Sequence, residues 1–194
     1  MLKELFVSKV RIEILKIMLP NPQNQYHVRD LVRRVGVEIN AVRRELAKLE
    51  SLGLLRKRKS SNKLYYTVDT SCVYYAELLA LIGKSYGLGL SIIESQKRLG
   101  DIRFAALSKA FLRGRESSVL DVDLFVVGRV DMDVLQQVVR IAERRLGNEI
   151  NYTVLSEQEF LHRKRRNDQF VTRFLMQSRT MLIGDEEEFC ALSS

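Results

Sequence analysis

Two groups of side chains in this sequence have the types and spacing to do chemistry. The first is Asn40, Arg43, Arg44, Ala47 and Lys48, whose intervals of three and four residues put them on one face of a helix. Arginine can meet guanine through two hydrogen bonds, asparagine can pair with adenine, and lysine holds phosphate, so such a face suits the major groove of duplex DNA. The second group is Asp121 and Asp123, inside the apolar run 120–128. On a strand that interval puts both carboxylates on one side, where they can hold a divalent cation, usually Mg²⁺ with a triphosphate. Taken alone, each group also has a plainer reading, a solvated basic helix face and a pair of solvated acids where a strand begins.

The first group needs a third helix held on two others. Ser8 can cap a helix whose apolar positions are Val10, Ile14, Leu15 and Met18, and Pro20 and Pro22 stop it. Residues 27–35 read as a second helix closed by Gly36, and 40–52 as a third closed by Gly53, with Ala41, Val42, Leu46, Leu49 and Leu52 buried. Residues 54–59 and 63–68 then read as two strands joined by the polar tip Ser60-Ser61-Asn62. Arg58, Lys59 and Lys63 flank that tip, where they can reach a phosphate backbone or the minor groove.

The second group needs alternating strands and helices. Residues 102–107 are a short apolar run, 120–128 the strongest strand signal, and Asp131 caps a helix through Leu146 that Gly147 closes. Residues 149–155 alternate as a strand. Ser156 and Glu159 form a capping box for a helix expected to reach 177, and 180–183 read as a last strand before a loose acidic tail, 185–194. Between the halves, 73–86 is apolar on more than one face, which fits a packed linker or a dimer seam. Gly83, Gly87 and Gly89 put the boundary near 88. The basic run 162–166 could contact nucleic acid or phosphate but reads first as a solvated helix face, and Tyr65, Tyr66, Tyr74 and Tyr75 read as core or interface.

Charge separates the halves. The 194 residues carry a net charge of +8, with 16 Lys and Arg against 8 Asp and Glu in 1–87 and 16 against 16 in 88–194. All of the excess lies in the part that holds the basic helix, as expected of a polyanion-binding segment. Apolar residues make up 46%, enough for packed cores, and the uncharged apolar stretches fall short of the ~18 residues of a membrane span. Cys72 and Cys190 have neither metal-ligand nor disulfide-framework spacing, and no secretory signal opens the sequence. A cytoplasmic protein that touches no membrane is expected.

Residues 31–37, 41–46 and 49–55, with the basic hairpin after them, resemble a winged helix-turn-helix DNA-binding domain of the bacterial and archaeal repressor type. That resemblance covers roughly 5–70 and implies double-stranded DNA as partner and a homodimer on a palindromic site. Arg113-Gly114 followed by Asp121-Val122-Asp123 resembles the minimal nucleotidyltransferase fold of the DNA polymerase β-like superfamily, over 102–184. The family's Gly-Ser pair is replaced by Lys109 and Ala110, and Asn151 stands where its third carboxylate belongs, with Glu149 on the same face. The resemblance therefore implies a vestigial nucleotide site at Lys109 and Arg113, and a metal pair at Asp121 and Asp123 that would take Mg²⁺ only if the site works.

Joined, the two parts resemble a family of prokaryotic transcriptional regulators. The expected fold class is α+β, with a winged helix over 1–70, a linker helix over 71–88, a nucleotidyltransferase-like domain over 89–184 and a tail over 185–194. The expected function is sequence-specific DNA binding with no required cofactor, the degenerate domain sensing a nucleotide effector or binding a protein partner. The alternative is an active Mg-dependent transferase that modifies a protein or small molecule, as related antitoxins do.

Overall fold

Side-chain caps start most of the described helices. The computed structural model describes residues 6–60, 63–115 and 121–191. The chain divides into two units, Met1–Ser85 and Tyr86–Ser194. In the first, Ser8 accepts a hydrogen bond from the Arg11 N–H (3.2 Å) and opens helix α1 (Lys9–Met18). A two-residue strand, β1 (Tyr26–His27), leads into α2 (Val28–Val35), whose first turn is capped by the His27 ring and whose end is closed by Gly36 in the left-handed conformation.

Helix α3 (Ile39–Ser51) follows, then strands β2 (Leu55–Ser60) and β3 (Lys63–Val68). The three strands form an antiparallel sheet in the order β1-β3-β2. Residues 61 and 62 of the expected tip lie outside the described residues. Helix α4 (Tyr75–Ser85) belongs to the first unit, and the buried Tyr75 hydroxyl donates to the Leu19 carbonyl at 3.2 Å.

The stripe expected on α3 needs correction at two positions, Ala41, which is only half-buried, and Leu52. Leu52 is 57% exposed and Leu54 takes its place in the core. Gly53 sits at φ 71°, so the Leu54 N–H reaches back to the Leu49 carbonyl (3.0 Å) and the Gly53 N–H to that of Glu50 (2.9 Å). This closing motif turns the chain before Leu52 can face inward and packs Leu54 near Leu49. On α1, Ile12 is buried, a position missing from the expected face.

The second unit opens with α5 (Gly87–Glu94) and α6 (Gln96–Leu99). It continues through β4 (Gly100–Ser108), α7 (Lys109–Leu112), β5 (Leu124–Val130), α8 (Met132–Leu146) and β6 (Tyr152–Leu155). Its sheet has the order β6-β5-β4-β7, with β7 at Arg179–Ile183, β5 parallel to β6 and the other pairs antiparallel. Strand β5 covers Leu124–Val130, so 121–123 of the expected 120–128 precede it, and residue 120 lies outside the described residues. Gly128 at φ 144° lets the backbone of β4 approach so closely that a Cβ there would overlap the Asp101 carbonyl.

The single helix expected over 156–177 is two helices, α9 (Glu157–Arg165) and α10 (Gln169–Met176). Asn167 takes a positive φ of 50°, and the Asp168 carboxylate accepts from the Phe170 and Val171 N–H groups to start the second. The described part of the tail expected to be loose forms α11 (Glu186–Cys190), because Asp185 caps it and Phe189 is wholly buried; 192–194 lie outside the described residues. Phe189 stacks on Phe160 at 5.2 Å and meets Phe104 edge-on at 5.3 Å, inside a core that also holds Phe125 and Phe174.

Candidate nucleic-acid interface

Helix α3 presents Asn40, Arg43, Arg44, Ala47 and Lys48 to solvent, all of them exposed. Val42, Leu46 and Leu49 bury its other side. Arg43 and Arg44 make no salt bridge among the described residues, and Lys48 Nζ lies 3.8 Å from Glu45 Oε1. Glu45 ties α3 to α1 by accepting from Arg11 Nε at 2.7 Å, with its own side chain only 10% exposed. Burial pushes the Glu45 carboxyl up, but hydrogen bonds from Arg11 and Ser8 and the charges of Arg11 and Lys48 outweigh it. It titrates below the usual glutamate range. The rotation of the basic face about the helix axis is thereby set by a charged contact as well as by apolar packing.

The hairpin cations divide into two kinds. Arg56 Nε is 2.7 Å from Asp69 Oδ2, and Lys57 Nζ is 3.5 Å from Glu50 Oε2, so both charges are answered within the unit. Hydrogen bonds from the Ser71 hydroxyl and from Arg56, then from the Ser71 N–H, lower the Asp69 carboxyl to about 2. Arg58, Lys59 and Lys63 are exposed and make no salt bridge among the described residues. Arg58 is registered opposite Tyr65 and Lys59 opposite Leu64, so the two point to opposite sides of the hairpin.

Arg29, in the first turn of α2, is exposed and likewise without a salt bridge among the described residues. Arg29 adds to the basic excess of residues 1–87 but lies outside the basic helix face. His27, whose Nδ1 accepts from the Arg29 N–H at 3.3 Å, lies 5.6 Å from the Tyr65 ring on the same sheet. The signal that could have found Arg29 is its position one residue inside a helix start next to a basic helix.

The residues singled out in the second unit are in different settings. Asp123 is 1% exposed, its Oδ2 accepts from the Asn151 N–H at 3.0 Å, and its own N–H donates to the Asn151 carbonyl at 2.8 Å. Asp121 is half-buried, with Oδ1 3.5 Å from Arg173 Nη2. Both precede β5, and the Asp123 carbonyl accepts from the Ser108 N–H at 2.9 Å. Asn151 does stand beside Asp123, while Glu149 is exposed.

Lys109 begins α7 with its N–H bonded to the Ser178 carbonyl (2.9 Å), and Arg113 is the residue that closes this short helix. The Ser108 hydroxyl next to it accepts from the Phe111 N–H (3.1 Å) as a helix cap. Among the described residues no group of three or more His, Cys, Asp and Glu side chains is placed to hold a metal.

The described residues make an α+β chain with two small sheets, the first of them beside an exposed basic helix. Reduced HlyU from Vibrio cholerae N16961 is a solved structure similar to this chain. It is 27% identical with a TM-score of 0.32, over 42% of this chain and 77% of that one. At that TM-score the likeness carries no weight for fold or function. No protein-family model matches the chain, and no curated protein matches it. No single helix among the described residues is long and apolar enough to cross a membrane.

Proposed function

We propose that this chain is a winged-helix transcriptional regulator that reads a specific DNA sequence with α3 and holds the flanking backbone with its hairpin. The observation that carries the reading is the exposed face of α3, where Arg43 and Arg44 have no salt bridge among the described residues, next to the unanswered Arg58, Lys59 and Lys63. Asn40, Arg43 and Arg44 read base edges, while Lys48, Arg58, Lys59 and Lys63 take phosphates. A palindromic operator calls for a homodimer, and the exposed Val73 (78%) and Tyr74 (58%) near α4 supply apolar surface for it.

The second unit, in this reading, is a nucleotidyltransferase-like module that senses an effector or binds a partner without transferring a nucleotide. Its strand, short helix, strand, helix, strand order, with β5 parallel to β6, supports the resemblance. Lys109 and Ala110 in place of Gly-Ser, and a buried Asp123 whose carboxylate accepts the Asn151 N–H, speak against turnover. Metal-dependent label transfer from a nucleoside triphosphate, lost in Asp121→Asn, would establish the transferase instead.

The deciding experiment is anisotropy of labelled genomic fragments near physiological salt with excess competitor DNA. Binding that survives competitor and follows one sequence is expected; binding that vanishes refutes the proposal.

A further inference from the structure

The second unit contains a half-open cavity of about 220 Å³, walled by Phe104, Val127, Phe160, Leu161 and Ala191. Its charged lining is unevenly matched. At the mouth, Arg103 Nη1 is 2.9 Å from Glu157 Oε2 and Nη2 is 4.0 Å from Glu188 Oε2, so one guanidinium serves two carboxylates. Deeper, Lys164 is 5% exposed and has no carboxylate partner among the described residues. Its Nζ donates to the Phe189 carbonyl at 2.6 Å and lies 5.2 Å from the Phe160 ring centroid. An ammonium carries three donors, and a buried one without a counter-charge is costly. This is the one residue of the basic run 162–166 that is buried, against the expectation of a solvated face.

We propose that this cavity binds a small monocarboxylate with an apolar body, its carboxylate taken by the Lys164 ammonium and its body by the Phe104, Phe160 and Leu161 side chains. The volume is below the ~300–1,000 Å³ of clefts that take drug-sized ligands, so the occupant is small. A single unanswered cation matches a single negative charge, and a second one would sit against Glu157 and Glu188 at the mouth. Burial pushes the Lys164 ammonium below the usual lysine range, so an anion beside it relieves a cost already present. The site gives the effector reading of the second unit a chemical class, and it stands whether or not the first unit binds DNA.

The test is calorimetric titration of the full chain at neutral pH with benzoate and hexanoate, and with benzamide and hexanamide as uncharged counterparts. The acids should bind at least about tenfold more tightly than the amides. Lys164→Met, which keeps the apolar stem, should erase that preference, and Leu161→Trp should fill the cavity and abolish binding of both. Circular dichroism checks that each variant folds. If Lys164→Met does not fold, the acid-amide difference together with Leu161→Trp decides. Failure of both acids to bind at about 10 mM, equal affinity of acid and amide, or a preference that persists in folded Lys164→Met overturns the proposal.

Discussion

Replacing Lys59 and Lys63 together by alanine tests which hairpin cations meet DNA. Arg56 and Lys57 already face Asp69 and Glu50 at 2.7 and 3.5 Å, whereas Lys59 and Lys63 have no such partner among the described residues. Each lysine that neutralises a phosphate contributes about −0.9 to the slope of log Kobs against log salt, roughly eightfold in affinity at ~0.1 M salt, or ~1.2 kcal/mol. Losing two should shift the slope by about 1.8 and weaken binding roughly sixtyfold at that salt, equally for all sequences. Arg56→Ala with Lys57→Ala removes the same formal charge, but from cations answered within the unit, and should move the slope by less than about 0.5. The assay is anisotropy of a labelled random-sequence duplex titrated across salt. Equal losses in the two double variants, or none in Lys59→Ala with Lys63→Ala, would refute the assignment.

Three further outcomes follow from the geometry. Glu45→Ala should cost about 2 kcal/mol in urea unfolding, because it leaves Arg11 without its partner against α3. The Glu45 carboxyl titrates lower folded than its unfolded value near 4.5, so its stabilisation is complete above that pH and fades as pH falls through the folded value. Asp69 should titrate near 2 by NMR and move back toward 3.8 in Arg56→Gln, since its hydrogen bonds from Ser71 remain but that from Arg56 is weakened. Phe189→Ala should destabilise the second unit by about 3–5 kcal/mol, since its ring is wholly buried against Phe160 and Phe104.

Where a signal was local, the sequence carried it. Ser8, Asp131 and Ser156 cap the helices they were expected to cap, and Gly36 and Gly147 end helices in the left-handed conformation. The basic face of α3 was legible because intervals of three and four residues determine a face without knowledge of the core. What failed depended on partners far along the chain or on chain reversal. Leu52 kept the helical period, but Gly53 turned the chain first. The apolar rhythm of Phe160, Phe170 and Phe174 runs across a break that only Asn167 and Asp168 mark.

Phe189 is a single aromatic among acids, and nothing near it in sequence announces that four other phenylalanines surround it. Likewise no local pattern tells Arg56 and Lys57 from Arg58 and Lys59, because Asp69 and Glu50 lie on other elements. Asp123 lies just before β5, held by the Asn151 and Ser108 backbone, and no local pattern announces those partners.

The most direct test of the central claim is repeated selection from a library of random duplexes, run in parallel on the natural chain and on Arg43→Ala with Arg44→Ala. One enriched motif for the natural chain is expected. In the double variant it should be lost, at a cost of about 1–3 kcal/mol per base contact, with binding to bulk DNA retained. A motif that survives both changes, or no enrichment at all, would contradict recognition through α3.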